Sequence, residues 1–273
     1  MKLNARVPVT AGLMAFCLLS ATGCERLRAN DQINKGVADF KNAKLESATN
    51  HFQQAVQLDP SNPNPRIYLG TVYSSQVVPN LDTPDNKKMA QQAIDTFQQV
   101  LSRDPNNVNA LEQIASIERN TGHPEEAKQY EKKVLAVDPN NAEANYTIGV
   151  VDWLQAYKNA TTLLAGEGLT DKADGNMKLS KKGCATLTAQ NSTLVTDGLQ
   201  YLQKAIDIRP TYEEAMTYMS LMYRRKADLE CGNVPAVKAD LDQADQWAQK
   251  SMGARQTNEK NKEKALQGGI TEK

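Results

Sequence analysis

The sequence predicts an all-α chain assembled from repeated helix-turn-helix units, and three observations predict it. First, four prolines that close apolar segments stand at related phases: Pro60, Pro105, Pro139 and Pro210, the first three preceded by Asp59, Asp104 and Asp138. Pro105 and Pro139 are 34 residues apart, the period of a two-helix repeat; the 45 residues from Pro60 to Pro105 and the 71 from Pro139 to Pro210 read as that period plus insertions. Second, Ala48, Phe52, Ala55 and Val56 recur at i, i+4, i+7 and i+8, and Ala93, Phe97, Val100 and Leu101 repeat the pattern, as one buried stripe per helix requires. Third, aromatics make up only 5% of the chain while Ala, Gln, Lys, Asn and Asp are plentiful, a mix that suits helices with small interlocking side chains rather than a β-sandwich. A stacked helical array builds an extended concave surface for holding another molecule, not a buried pocket for chemistry.

The elements follow in order. Lys2 and Arg6 form a short basic start, and Val7 to Leu19 is mostly apolar, ending in Ser20-Ala21-Thr22-Gly23-Cys24. The apolar run is too short to span a bilayer comfortably and ends in small residues, so it reads as an export signal. Its ending resembles the bacterial lipoprotein box, in which small residues precede a Cys that becomes the lipidated first residue. That resemblance implies cleavage after Gly23, lipidation of Cys24 with palmitate-type acyl chains and, with Glu25 following, an outer-membrane lipoprotein facing the periplasm; Ala21 stands where the box more often has Leu, and the alternatives are ordinary cleavage after Gly23 or Ala21 with a secreted or soluble periplasmic product, and an uncleaved anchor. Acyl chains, at roughly 0.8 kcal/mol per buried CH₂, would hold the protein on the membrane. The whole chain has formal charge +0; losing residues 1–23 removes Lys2 and Arg6 and leaves 30 basic against 32 acidic residues, so nothing points to nucleic acid.

Residues 24–28 are expected to be a tether, 29–252 the repeat array, and 253–273 a flexible charged tail with a short helix over 259–266. Within the array, Gly36, Ala48, Phe52, Ala55 and Pro60, then Leu69, Gly70, Tyr73, Ala93, Phe97 and Pro105, then Ala127 and Pro139, fall at positions of the tetratricopeptide pattern. Ile148, Gly149, Ala205 and Pro210 continue it around a 37-residue insertion, and Tyr223, Ala244 and Trp247 close it. The chain thus resembles tetratricopeptide repeat (TPR) proteins, with repeats at about 29–62, 63–107, 108–141, 142–212 and 213–252. The resemblance implies a right-handed superhelical solenoid of about five repeats. Asn62-Pro63, Asn106-Asn107 and Asn140-Asn141 follow the prolines and suit the start and cap of each next helix. Residues 77–86, with Pro79 and Pro84, read as a loop; residues 164–187, with four glycines and four lysines, read as a basic flexible flap that covers part of the groove or is a solvated excursion.

Once Cys17 leaves with the signal and Cys24 carries lipid, Cys184 and Cys231 remain, an even number in an exported chain. A helix from about 188 to 208, a turn at Pro210 and an antiparallel helix from about 212 to 229 put both cysteines at one end of the pair, so a disulfide is expected; two unpaired thiols are the alternative. Two cysteines without nearby His make a poor zinc site, and neither a metal nor a cofactor is expected. His51 and His123 lie in different repeats and in no triad or metal spacing, and no Gly-x-Ser-x-Gly, phosphate-loop or dinucleotide fingerprint occurs, so nothing supports an enzyme.

In TPR proteins the first helix of each pair lines the concave groove. Carried over, this implies a protein-binding groove of Ile33, Val37, Phe40, Ile67, Thr71, Glu112, Ser116, Arg119, Tyr146, Val150, Trp153, Leu221 and Arg224. Ile33 and Val37 stand where carboxylate-clamp adaptors have their Lys/Asn set, which argues against capture of a chaperone's C-terminus. Phe40, Tyr146 and Trp153 are the candidate anchors for an apolar helix or extended peptide, although Trp153 packing under the flap is an equal alternative. The expected function is a non-catalytic, membrane-tethered TPR scaffold for an envelope protein or peptide. The alternatives are a structural subunit of an envelope-assembly complex and an accessory component of an enzyme or transport system.

Overall fold

A computed structural model describes residues 10–268 except Met177, with side chains described from Cys24 to Leu266, and contains no strand among them. Its helices are α1 (Thr10–Lys41), α2 (Leu45–Leu58), α3 (Asn64–Ser74), α4 (Pro84–Leu101), α5 (Val108–Asn120), α6 (Pro124–Val137), α7 (Ala142–Gly166), α8 (Lys181–Ile208), α9 (Glu213–Ala227) and α10 (Val234–Gly268), with a 3₁₀ turn at Asp228–Glu230. They form two compact units, Met1–His123 and Pro124–Lys273.

In the first unit α1 packs on α2 and α3 on α4, with α2 against α3 and α4 against α5. The small residues of the repeat pattern set the approach. Gly36 on α1 faces the ring of Phe52 on α2, and Gly70 on α3 faces the ring of Phe97 on α4, so near that a Cβ at either glycine would lie within 3 Å of ring carbons. Ala48, Phe52, Ala55, Val72, Ala93 and Phe97 are all buried. α2, α4, α6 and α8 each end before their proline, and the preceding aspartates work on the turn: Asp59 Oδ1 accepts from the Ser61 amide and hydroxyl, and Asp138 Oδ1 from the Asn140 amide. Asn107 and Asn141 then cap α5 and α7, accepting from Ala110 N and Ala144 N. The 75–83 connection is fastened by buried Asn86, whose side chain accepts from Val78 N and donates to Val78 O and Leu81 O.

In the second unit the packed pairs are α6–α7, α7–α8, α8–α9 and α9–α10. Gly149 on α7 meets Leu202 on α8, and Gly198 on α8 meets Met222 on α9, in the same close approach.

Four expectations change here. Residues 24–28, expected as a tether, are helical and part of α1, which runs on to buried Ala29. The 37-residue insertion is mostly helix: α7 and α8 reach 25 and 28 residues, which shrinks the expected flap to residues 167–180. Cys184 therefore lies inside the first turns of α8 rather than before the helix. The tail from Gly253 does not fray at once, because α10 continues to Gly268; Ala254 is buried in the unit's core and Asn258 Nδ2 donates to Thr211 O at 2.9 Å. The expected export signal falls on residues 1–23, whose side chains lie outside those described.

Candidate interaction surface

The first-helix residues chosen from the sequence lie on single helix faces. In the first unit Ile33, Val37 and Phe40 follow one another along α1, Ile67 and Thr71 along α3, and Glu112, Ser116 and Arg119 along α5; all are half-buried. Val37 and Phe40 already pack against the Ala48, Phe52 and Val72 cluster, and Thr71 Oγ1 donates to Ile67 O. The histidines hold local structure: His51 meets Gln32 Oε1 at 2.6 Å and Asp39 Oδ2 at 3.5 Å, and His123 meets Glu118 Oε2 at 3.1 Å beside Thr121.

In the second unit two of the chosen residues have close partners within that unit. Val150 is 7% exposed and belongs to the interior, because its position on α7 turns it toward packed neighbours. Arg224 is committed on its own unit, pairing with Asp245 at 2.8 Å and donating to Ala173 O at 3.3 Å. Leu221 stays half-buried on α9.

Tyr146 and Trp153 are brought together by three residues that the sequence reading missed. Tyr212 lies 4.9 Å from Tyr146 between ring centroids, Tyr218 lies edge-on to Tyr146 at 5.8 Å and to Trp153 at 5.3 Å, and Tyr157 stacks on Trp153 at 5.3 Å. The result is a five-ring ladder along α7 and α9. One end is anchored: the Tyr212 hydroxyl donates to Glu143 Oε2 at 2.5 Å, and burial together with that carboxylate pushes the phenol pKa up. The other end is open, with Tyr157 42% and Leu154 39% exposed. In the middle the Trp153 indole N–H is buried without a hydrogen-bond partner among the described residues. The signal for the ladder was Tyr146, Trp153 and Tyr157 at i, i+7 and i+11, one face of a helix.

The 167–180 segment is fastened rather than loose. Arg225, 2% exposed, places Nη1 2.9 Å from Asp171 Oδ2 and 3.1 Å from Asp228 Oδ2, while its Nη2 donates to Asp171 Oδ1 at 3.2 Å. Asn176 Nδ2 donates to the other Asp228 oxygen at 2.7 Å, and Cys184 and Cys231 are disulfide-bonded with Cα atoms 5.5 Å apart. Burial pushes the Asp228 carboxyl up to about 7, against the opposing pull of Arg225.

Cys24 is exposed on α1 with a free thiol. No described helix is long and apolar enough to cross a membrane, and no cluster of three or more His, Cys, Asp or Glu suited to a metal occurs among the described residues.

Residues 82–165 match the family described as the TT21 fifth ARM repeats domain. The protein CTR9 homolog of Arabidopsis thaliana is 26% identical over 190 residues, which is 68% of this chain; the chain matches only 16% of that protein's length. The crystal structure of MamA protein superposes with a TM-score of 0.55 at 15% identity, covering 85% of this chain and 94% of MamA. MamA from residue 41 onward of Desulfovibrio magneticus RS-1 gives a TM-score of 0.53 at 17% identity, covering 84% and 96%. The fold is an all-α helical-repeat solenoid of tetratricopeptide type.

Proposed function

We propose that the protein is a non-catalytic scaffold of the bacterial cell envelope, tethered to a membrane through lipid on Cys24, that captures a protein partner on the first-helix face of its second unit. The observation that carries this reading is the five-ring ladder from Tyr212 to Tyr157 with its open end beside exposed Leu154. Rigid aromatic rings with few rotatable bonds give large contact area at low ordering cost, and such residues dominate binding energy in interfaces. The ladder offers an apolar strip suited to one face of a partner helix or to alternate side chains of an extended segment. Exposed Cys24 on α1 is compatible with a lipid anchor, and the sequence before it supports export.

The test is cross-linking of the tagged full-length protein in cells, followed by membrane extraction and mass spectrometry. Leu154→Ser with Tyr157→Ser should abolish capture of a specific partner while leaving the thermal transition within a few degrees of wild type. Unchanged capture would reject the ladder as the binding face. Omitting Cys24 as Cys24→Ser should release the protein from the membrane fraction; retention there would reject the lipid tether.

A further inference from the structure

The segment joining α7 to α8 forms, with Leu164 of α7, a half-open cleft of about 300 Å³ that the ladder does not touch. We infer that this cleft is a preformed binding site for a carboxylate carried on a short apolar body.

Its walls supply both halves of such a ligand. Buried Leu164 at the end of α7 and half-buried Leu169 give an apolar surface, and exposed Lys172 and Lys178 give two ammonium groups. Neither lysine is in an ion pair among the described residues. Asp174, whose Oδ1 accepts from the Asn176 amide at 3.3 Å, is the one acid of the lining, so two lysines against one aspartate give the lining a formal charge of about one positive unit. That balance, with no guanidinium fork in the lining, favours a monoanion over a phosphate dianion. The volume lies at the bottom of the range for small-molecule sites, roughly 300–1,000 Å³, so the body must be small.

The site is built before any ligand arrives. Asp171 is held by Arg225, Ala173 O by Arg224 and Asn176 by Asp228, and Ser180 donates its amide and hydroxyl to Glu167 across the neck at 2.9 and 2.6 Å. Gly175 presses on Val237 of α10, where a Cβ would come within 2.5 Å. Within nine residues Gly168, Ala173, Gly175 and Asn176 all have positive φ, and Ala173 (φ 54°) has neither glycine's freedom nor a polar side chain to favour it. Backbone held this way by surrounding anchors clusters at ligand clamps, and a loop that only joined two helices has no need of it. Pre-organisation lowers the ordering cost of binding.

The experiment uses the full-length protein with its disulfide intact and ligand-observed saturation-transfer NMR. Hexanoate is compared with neutral hexanamide, and acetyl-Ala-Ala-Leu bearing a free carboxylate with its C-terminal amide. Hexanoate or the tripeptide acid should bind at least ten-fold more tightly than its neutral partner. Lys172→Gln with Lys178→Gln should weaken the acid at least ten-fold, and Lys172→Arg with Lys178→Arg should retain most of it; both pairs are exposed, and thermal melts check that they fold. Preference for hexanoate assigns the site to a free small acid, and preference for the tripeptide acid assigns it to a chain terminus; either result supports a carboxylate site. Equal binding of acids and amides, no binding of either acid, or indifference to the Gln pair would overturn it.

Discussion

A Cβ added to Gly70 would stand 2.8 Å from Cζ of the Phe97 ring, so the separation of α3 and α4 is set by the absence of a side chain at one position and the presence of a ring at the other. Gly70→Ala must push a fully buried ring out of its place or part the two helices. Overpacking of this kind costs about 1–3 kcal/mol. Gly253, exposed within α10 with nothing within 4 Å, supplies the contrast: Gly253→Ala should stabilise by about 0.5–1 kcal/mol through helix propensity alone. Urea unfolding of the two variants should move in opposite directions, and a Gly70→Ala midpoint at or above wild type would refute the packing argument.

The glycine–ring pairs were legible in the sequence because they are repeated: Phe52 and Phe97 stand at one phase relative to Pro60 and Pro105, and Gly36 and Gly70 do so once the insertion between the paired helices of the second repeat is allowed for. The lengthening of α7 and α8 was not read, though its signal is there. Ala156, Ala160 and Leu164 continue a four-residue stripe through the insertion, and Leu187, Asn191 and Val195 answer it on α8. Asn191 hid the stripe, since a polar residue on a core face looks like an interruption until its partners are seen: it donates to Ala156 O at 2.9 Å and accepts from Asn159 at 2.8 Å. The aromatic ladder was half legible, from the α7 spacing, but the edge-on contacts of Tyr218 depend on how α9 lies against α7. The anchoring of the 167–180 segment was illegible for a simpler reason. Asn176 and Asp228 are 52 residues apart, and Asp171 and Arg225 are 54 apart, so no local pattern links them.

Arg225 should be the least replaceable residue of that anchorage. Its guanidinium faces two carboxylates, and Asp228 has no exposed side-chain surface. Arg225→Leu leaves that acid buried without its cation, a change worth about 3–5 kcal/mol. Arg225→Lys should recover only part of this, because an ammonium cannot span both acids as a planar fork does. Thermal unfolding of the three proteins should rank wild type above Lys above Leu; a Leu variant within about 1 kcal/mol of wild type would mean that the network contributes little.

The disulfide closes a sequence separation of 47 residues. In the loop-entropy treatment that restriction of the unfolded chain is worth about 4 kcal/mol. Cys184→Ser with Cys231→Ser should therefore lower the unfolding free energy by an amount of that order, and reductant should lower the wild-type midpoint while leaving the double variant unmoved. Equal sensitivity of both proteins to reductant would show that the effect does not come from this bond.

Stability should also fall as pH rises from about 4 to about 7. Asp152 is sealed at the α6–α7 contact, where Lys128 holds its Oδ1 and its Oδ2 has no hydrogen-bond partner among the described residues. Burial pushes its carboxyl up from 3.8 to about 6, outweighing Lys128, and the nearby Asp197 and Glu125 charges push the same way. A carboxyl with a raised folded pKa binds more protons folded than unfolded between the two values, so its contribution is whole below about 4 and gone above about 6; a shift of about two units is worth about 3 kcal/mol. Asp228, raised to about 7 by burial, extends the decline by a further unit. Asp152→Asn is a neutral mimic of the protonated acid that cannot ionise, so the slope is the informative quantity. Urea unfolding at pH steps from 4 to 8 should show the variant nearly flat between 4 and 6 except for the part due to Asp228. Parallel curves for variant and wild type would place the pH dependence elsewhere in the chain.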